Sequence, residues 1–273
     1  MSLDFKSRTV IVTGAAHGFG RAISIAFAAR GATVWACDVL EDELAETQRL
    51  CGKACTTAVV DVRDKQAVER FVAEARDVHI LVNNAGGVLG QVGRPLEAVT
   101  PAEWQAIYDV NVTGAFYFSQ AVAPGMKAAR FGRIINISSG AGLGVSLTGI
   151  QAYASAKAAQ IGLTRQPAHE LGPWGITVNN VAPGFVRSNR ATEKQWESYG
   201  AEPLGIHDAG AGRGHGPDRE RSRGREPCRD PRRRGVHVRR VRGIGADAGD
   251  RGELDQLRED LVVSVLEARE HRG

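Results

Sequence analysis

A buried strand runs into a glycine-rich turn in the stretch Thr9-Val10-Ile11-Val12-Thr13-Gly14-Ala15-Ala16-His17-Gly18-Phe19-Gly20. Glycines at positions 14, 18 and 20 let the backbone turn tightly and approach a pyrophosphate, and the helix that follows supplies free N–H donors. The spacing is G-x-x-x-G-x-G rather than G-x-G-x-x-G, and any tight turn from strand to helix can hold glycines. Because this turn lies where a strand gives way to a helix, it favours a phosphate-binding loop.

Strand and helix patterns alternate outward from this turn as far as residue 200. The strand-like runs are Thr9–Thr13, Thr33–Asp38, Ala58–Val62, His79–Val82, Arg133–Ser138 and Ile176–Val181. Helical periodicity covers Gly20–Arg30, Glu41–Leu50, Lys65–Arg76, Pro101–Ala129 and Tyr153–Leu171. Such alternation predicts an α/β fold of the Rossmann type, a doubly wound parallel sheet with six recognisable strands.

A carboxylate, Asp38, ends the second predicted strand. At that position it can accept hydrogen bonds from both hydroxyls of an adenosine ribose, and it repels a 2′-phosphate. The other interpretation is an N-cap for the helix Glu41–Leu50. Because no lysine or arginine stands beside Asp38, the sequence predicts NAD as the cofactor, with NADP disfavoured.

Tyr153 and Lys157 lie four residues apart in a predicted helix and therefore project from one face of it. A nearby ammonium lowers the pKa of a phenol and makes it a usable general base. Ser138 and Ser139 follow the fifth strand, where a hydroxyl could hold the substrate oxygen opposite Tyr153. A Tyr/Lys pair alone would also fit an ordinary helix surface.

With these motifs assembled, residues 5–200 resemble the short-chain dehydrogenase/reductase (SDR) family. Further motifs carry the resemblance: Asn83-Asn84-Ala85-Gly86, Asn111-Val112-Thr113-Gly114, the run Asn136–Ser139, and Pro183-Gly184. Ser139 and Tyr153 are one residue further apart than is usual in the family. The extra residue falls in the loop Gly140–Gln151, so this loop departs from the family pattern.

The resemblance implies the following roles. Tyr153 would be the general acid/base, Lys157 would bind the nicotinamide ribose, Ser139 would orient the substrate oxygen, and Asn111 would hold a proton-relaying water. Asp61 would contact adenine, Asn84 and Gly86 would line the adenosine side, and Val186 and Ser188 would face the carboxamide. The implied cofactor-binding set is Gly14, His17, Gly18, Phe19, Gly20, Asp38, Asp61, Val62, Asn84, Ala85, Gly86, Tyr153, Lys157, Pro183, Gly184, Val186 and Ser188.

The activity that follows from the resemblance is NAD-dependent interconversion of a secondary alcohol and a ketone by hydride transfer. The implied partners are a small alcohol or ketone substrate and further copies of the chain, in a homodimer or homotetramer. The alternative is a catalytically weak dinucleotide-binding protein that acts through an arginine-rich tail.

Composition sets broad limits on the chain of 273 residues. It is 42% hydrophobic and 24% charged, which is ordinary for a globular protein. No apolar run approaches the length of a membrane span, and the N-terminus lacks the pattern of a secretory signal, so we expect a cytoplasmic protein. Four cysteines without zinc-finger spacing predict free thiols and no metal site.

The composition changes after residue 200. The segment 201–252 is rich in arginine and glycine and contains no lysine, phenylalanine, tyrosine or tryptophan. It could be a disordered tail, a nucleic-acid-binding tail, or a stretch read in a shifted frame; the interspersed acids and missing aromatic residues disfavour nucleic acid. We predict three regions: a catalytic domain at 1–200, an irregular segment at 201–252, and an amphipathic helix within 253–273.

Two departures from the family pattern carry structural expectations. We predict that the family's seventh strand is missing or degenerate, since Arg239-Arg240 interrupts Val236–Val241, the only candidate. We therefore expect that the segment 201–252 does not complete the sheet. Pro167 lies deep inside the helix Tyr153–Leu171, where it removes a backbone hydrogen bond and predicts a kink.

Overall fold

A computed structural model describes residues 4–146 and 148–184 of the chain and the backbone of 238–241. The strands are β1 Thr9–Thr13, β2 Thr33–Asp38, β3 Cys55–Val59, β4 Val78–Asn83, β5 Gly132–Ile137, β6 Ile176–Pro183 and β7 Val238–Val241. The helices are α1 Gly18–Ala28, α2 Glu41–Cys51, α3 Lys65–Ala75, α4 Pro101–Tyr108, α5 Gly114–Ala129 and α6 Gln151–Leu171.

The strands form one parallel sheet in the order β3-β2-β1-β4-β5-β6-β7. The chain builds outward from β1 to β3, then returns to the other side of β1 with β4. A crevice opens at this reversal, outside the carboxyl ends of β1 and β4, and such crevices are where open α/β sheets bind ligands. The predicted Rossmann-type α/β fold is confirmed.

Alternation along each central strand supplies a core to both faces of the sheet. On β1, Val10 and Val12 face the cluster around α1, while Ile11 faces the cluster around α3 and α5. The first cluster contains Phe27 and the second Phe118, both almost fully buried. Because both faces are covered, the inner strands are nearly continuous runs of apolar residues.

Most predicted elements agree with the structure to within two residues at each end, and two differ more. β3 spans Cys55–Val59, three residues earlier than the predicted Ala58–Val62. Among the described strands it pairs with β2 alone, and Val59 is exposed, so its pattern is less apolar than that of an inner strand. The single predicted helix Pro101–Ala129 is interrupted by a π-helical turn at Asp109–Thr113.

The expectation that segment 201–252 does not complete the sheet is wrong for Val238–Val241. Its backbone pairs in parallel with Asn180–Pro183, at the carboxyl end of β6. Ladder hydrogen bonds are made by the main chain, and an edge strand tolerates charged residues that an inner strand would exclude. The arginine pair therefore does not prevent pairing. The predicted C-terminal helix within 253–273 lies outside the described residues.

The helix α6 continues through Pro167 and ends at Leu171. The proline removes one N–H donor from the ladder, but it does not break the element. The predicted helix is confirmed and begins two residues earlier than predicted, at Gln151.

Candidate active site

The glycine-rich turn adopts a backbone that other residues would strain. Gly14 has a φ of 64°, in the left-handed region that side chains with a Cβ disfavour. Gly20 lies against the carbonyl of Gly14, and a Cβ there would also come within 2.7 Å of the Asn84 amide nitrogen. Both positions therefore require glycine, which brings the start of α1 close to the end of β4.

Asn84 fixes the turn from the β4 side. Its Nδ2 donates to the carbonyls of Thr13 and Gly14, at 3.0 and 2.9 Å. In return, the Thr13 hydroxyl accepts from the backbone N–H groups of Asn84 and Ala85, each at 3.0 Å. The predicted residues Gly14, Asn84 and Ala85 are thus brought together, with Thr13 as a partner that the sequence did not single out.

Arg21 and Thr47 fix the turn from the opposite side. The Thr47 hydroxyl donates to the Ala15 carbonyl at 2.8 Å, and Arg21 donates to the Ala16 carbonyl. Arg21 also forms an ion pair with Glu43 at 2.6 Å. The turn is therefore held to both α1 and α2. The side chains that hold it belong to no motif recognised in the sequence.

Asp38 links the end of β2 to this turn. Its Oδ2 accepts from the Ala16 N–H at 3.0 Å, and its Oδ1 accepts from Val39 and Leu40 at 2.7 and 3.3 Å. The carboxylate thus makes local backbone contacts, as the N-cap interpretation suggests, although the residue at the N-cap position of α2 is Leu40. It also stands beside the turn, as the ribose interpretation requires.

Asp61 and Val62 follow β3 instead of lying within it. The Asp61 carboxylate is engaged by Arg63, with Nε and a terminal nitrogen at 2.9 and 2.6 Å from its oxygens. These hydrogen bonds hold the pKa of Asp61 below its usual value. Val62 is buried against Gly114. Asp61 therefore already has a strong partner, and Val62 supports the start of α5.

Asn111 lies in the π-helical turn and is fully buried. Its Nδ2 donates to the carbonyls of Ile107 and Gly87, both at 2.9 Å, and its Oδ1 accepts from the Gly87 N–H at 3.1 Å. A π-turn displaces one residue from the regular helical ladder, and such turns are frequent at functional sites. Here the irregularity ties Asn111 to the loop after β4, where Gly86 also lies.

Tyr153 lies near the start of α6 with its phenol beside Ser139, which follows β5. Burial raises the pKa of the Tyr153 phenol, and the hydrogen bond with Ser139 lowers it by a smaller amount. The sequence predicts a lowered phenol pKa, but the net shift is upward, because desolvation is the largest effect; the Lys157 ammonium nitrogen lies 5.5 Å from the ring centroid. The predicted juxtaposition of Ser139 and Tyr153 is nevertheless present.

Lys157 is almost fully buried on the same face of α6. Its Nζ donates to the Ile137 carbonyl at 2.9 Å and to Oε1 of Gln160 at 2.8 Å. A Cβ on Gly86 would lie 3.2 Å from this nitrogen, so the ammonium reaches the loop after β4. Burial lowers the pKa of Lys157 to about 7. The group therefore titrates near neutrality.

A chain of buried polar side chains continues from this site into the sheet, and the sequence motifs contain its members Asn83 and Asn136 but not Gln160 and Thr164. Asn83 donates to Oδ1 of Asn136 at 2.9 Å, and Asn136 donates to the Thr164 hydroxyl at 2.9 Å. Thr164 donates to the backbone carbonyl of Gln160 at 2.9 Å. Spacing of polar residues at 157, 160 and 164 along one helix face was the available signal.

The remaining predicted residues are placed as follows. His17 precedes α1 at its N-cap position, and Phe19 packs against the core on its first turn. Pro183 ends β6 and Gly184 follows it, beside the site. Val186 and Ser188 lie outside the described residues.

The crevice fits a dinucleotide. Among the described residues, no side chain caps the N-terminus of α1, and no acid lies in its first turn, so the N–H groups there can face a phosphate. The buried Lys157 ammonium, with two neutral acceptors, has one further donor for a ribose hydroxyl. None of the helices in the described ranges is long and apolar enough to cross a membrane.

Comparison with known proteins agrees with this class of protein, a dinucleotide-binding α/β fold. The family model for short chain dehydrogenases matches residues 8–198. The chain is 39% identical over 195 residues to a probable galactose dehydrogenase, GalD, of Rhizobium meliloti (strain 1021), covering 68% of this chain and 75% of the relative. It is 35% identical over 205 residues to the oxidoreductase UcpA of Escherichia coli (strain K12), covering 73% and 77%.

A solved structure shares the fold. The 3-oxoacyl-(acyl-carrier protein) reductase of Brucella melitensis with bound NAD is 38% identical, has a TM-score of 0.65, and matches over 71% of this chain and 77% of its own. The chain belongs to the short-chain dehydrogenase family. It is an oxidoreductase of a family that binds a nicotinamide dinucleotide, and the predicted resemblance is confirmed.

Proposed function

We propose that this chain is an NAD-dependent oxidoreductase that interconverts a secondary alcohol and a ketone, with Tyr153 as the general acid/base. One observation carries the proposal: the phenol of Tyr153 and the hydroxyl of Ser139 are hydrogen-bonded beside the buried ammonium of Lys157. Two neighbouring hydroxyls can hold one substrate oxygen between them.

The proton has a defined origin in this arrangement. Burial keeps Tyr153 protonated, so the phenol is ready to donate to a carbonyl oxygen that Ser139 orients. In the oxidative direction, the phenolate must take the alcohol proton, and the Lys157 charge next to it stabilises that anion. When bound, the nicotinamide accepts or donates the hydride, while the chain supplies the position of the substrate and the proton.

Asn111 has the geometry of a residue that holds the end of a proton path. Its amide is fixed by Gly87 and Ile107, and the π-turn keeps it next to the loop that borders Lys157. We propose that it binds a water through which the proton reaches solvent.

The preference for NAD is proposed from Asp38. Its carboxylate stands at the end of β2 and is bound to the glycine-rich turn through Ala16. A carboxylate there accepts from ribose hydroxyls and repels a 2′-phosphate. The remaining predicted cofactor residues, among them Gly18, Asp61, Val186 and Ser188, stay proposals of the same kind, as do a cytoplasmic location and a homodimeric or homotetrameric assembly.

The proposal is tested by replacing Tyr153 with Phe in the full chain. Because only the proton-transferring hydroxyl is removed, turnover should fall by at least a hundredfold while the affinity for NADH changes less than threefold. Turnover is measured by NADH absorbance with a panel that includes galactose and a 3-oxoacyl thioester, and affinity by NADH fluorescence.

A matched control is Tyr117→Phe, since Tyr117 lies on α5 with its ring beside Phe116 and packs against the cluster around Phe118. Its turnover should equal that of the native chain. NADH binding without turnover on any substrate in the native chain would favour the catalytically weak alternative, and retained turnover in Tyr153→Phe would remove Tyr153 from its assigned role.

A further inference from the structure

We propose that Gln160 is a positioning residue for Lys157, and that its amide oxygen keeps the Lys157 ammonium charged and directed at the cofactor. This inference deepens the proposed function and rests on it for the role of Lys157. Gln160 lies three residues after Lys157 on α6, and its Oε1 is 2.8 Å from the Lys157 Nζ.

Gln160 is expected to destabilise the fold at this position unless its amide has a function. Its side chain is fully buried, and among the described residues its Nε2 has no hydrogen-bond partner. A buried unpaired amide N–H destabilises a fold, and an apolar residue of similar size would avoid the loss. The observed contact of the amide is its hydrogen bond from Lys157, so we infer that the amide is retained to bind the ammonium.

The direction of the Gln160 amide follows from the charge it meets. An ammonium has only donors, so it requires an acceptor, and the Oε1 atom of Gln160 supplies one where the Ile137 carbonyl supplies the other. Two acceptors fix the position of Nζ and leave one N–H for a ligand. Without Gln160, the nitrogen would be held by a single carbonyl and could turn away from the crevice.

The charge of Lys157 depends on these neutral acceptors, because the groups that face it contribute no anion. From α6 it meets Tyr153 and Gln160, from β5 the Ile137 carbonyl, and from the loop after β4 Gly86. Tyr153 is the titratable group among them, and burial keeps its phenol neutral. In the described part of the chain, burial alone accounts for the lowered pKa of Lys157, about 7. An acceptor lost from the ammonium would lower that pKa further.

Two substitutions separate this role from simple packing. Gln160→Met keeps the length of the side chain and removes the acceptor, so the pKa of Lys157 should fall by about one unit. Gln160→Glu places a carboxylate beside the ammonium, so the pKa should rise. The control is Thr164→Val, which is buried on the same face and bonds the Gln160 backbone but does not touch Lys157.

The pKa is measured on the full chain by NMR, following the Lys157 side-chain carbon resonance against pH and assigning it with Lys157→Met. The proposal expects opposite shifts in Gln160→Met and Gln160→Glu, and none in Thr164→Val. Equal pKa values in the native chain and both Gln160 variants would overturn it, as would an equal shift in Thr164→Val.

NADH affinity against pH supplies the second measurement. With the ammonium needed for the ribose, affinity should begin to fall near pH 7 in the native chain and about one unit lower in Gln160→Met. At pH 8 that variant should bind NADH about tenfold more weakly, with near-equal binding at pH 5.5. Shifted pKa values with unchanged NADH affinity would support the Gln160 contact and refute the proposed ribose role of Lys157.

Discussion

At the scale of single residues, several side chains join the backbone of one element to the turn of another. Asp38 shows this most clearly, because its carboxylate accepts from Ala16 in the glycine-rich turn and from Val39 after its own strand. The same atoms that are proposed to bind a ribose therefore also shape the loop that is proposed to bind the phosphates. Removing the side chain would disturb both roles together, so a test must remove only the charge.

Asp38→Asn keeps the size of the side chain and removes its charge. Its single amide oxygen can still accept from Val39 and Leu40, the contact with Ala16 is lost, and the negative charge that repels a 2′-phosphate is gone. We expect the ratio of kcat/KM with NADP to kcat/KM with NAD to rise more than tenfold, about 1.4 kcal/mol. Initial rates with both cofactors give the ratio directly.

The control for Asp38→Asn is Asp64→Asn, since Asp64 is a carboxylate that caps α3 through Gln66 and Ala67, and Asn caps a helix equally well. Its cofactor ratio should not change. If Asp38→Asn also leaves the ratio unchanged, the carboxylate acts only on the local backbone and NAD preference has another source.

Residue patterns predicted the motif-bearing part of the site well, because each motif couples a residue type to a strand end. Asn84, Ser139 and Tyr153 lie at such ends or on the helix that follows, so topology alone brings them together. Gln160 and Thr164 belong to no such motif, and their available signal was the polar spacing with Lys157 along one face of α6. Their importance comes from burial, which depends on how α6 packs against the sheet and is not determined by helical periodicity.

At the scale of elements, the helices of the site are irregular where the chemistry is proposed. The π-helical turn Asp109–Thr113 divides what the sequence predicts as one helix, and it places Asn111 against the loop after β4. The periodicity could not reveal the turn, because one inserted residue changes the apolar pattern very little over a long helix. In β3, similarly, the edge position relaxed the apolar pattern and moved the predicted bounds.

Pro167 tests how much an irregularity costs α6. Pro167→Ala restores the N–H that can bond the Leu163 carbonyl, and the helix already passes through this position. A proline in a helix interior costs roughly 3 kcal/mol, less a gain of up to about 1 kcal/mol from the restricted unfolded chain. We expect the free energy of unfolding to rise by about 1 to 3 kcal/mol, measured by urea denaturation.

Pro101→Ala is the matched control for that substitution. Pro101 occupies the first turn of α4, where the missing N–H would have no helical partner in any case. Its replacement should not stabilise the protein. A gain at Pro101 equal to that at Pro167 would show that the effect does not come from the restored hydrogen bond in α6, since removing a proline only loses stability through the unfolded chain.

At the scale of the whole molecule, the site is subject to two constraints, one geometric and one energetic. The geometric constraint is that the sheet places the site at one edge of the core. The carboxyl ends of β1, β4 and β5 meet there, and β7 pairs with the carboxyl end of β6 beside them. Six strands in a parallel, doubly wound sheet could be predicted from alternating patterns. The pairing of Val238–Val241 could not, since main-chain hydrogen bonds leave no mark on side-chain composition.

The second constraint is energetic, because the buried ammonium of Lys157 lowers the stability of the whole fold over a defined pH range. Its pKa falls from 10.5 to about 7 in the folded protein. Below pH 7 the group is protonated in both the folded and the unfolded chain, so burying the charge lowers the free energy of unfolding by its full amount. Between pH 7 and about 10 the unfolded chain binds more protons, so the free energy of unfolding rises with pH.

Lys157→Met should remove this rise, since the variant has no group that titrates there. The free energy of unfolding of the variant minus that of the native chain should therefore be largest at pH 6 and should decrease toward pH 9.5, by about 1.4 kcal/mol for each pH unit above 7. Urea denaturation at pH 6, 8 and 9.5 measures the difference.

Lys127→Met serves as the control, because Lys127 is about one-third exposed and pairs with Glu170 at the surface, so its difference should vary little with pH. Equal pH profiles for the native chain and Lys157→Met would mean that the buried ammonium does not titrate in this range. The charge of Lys157 would then not depend on Gln160.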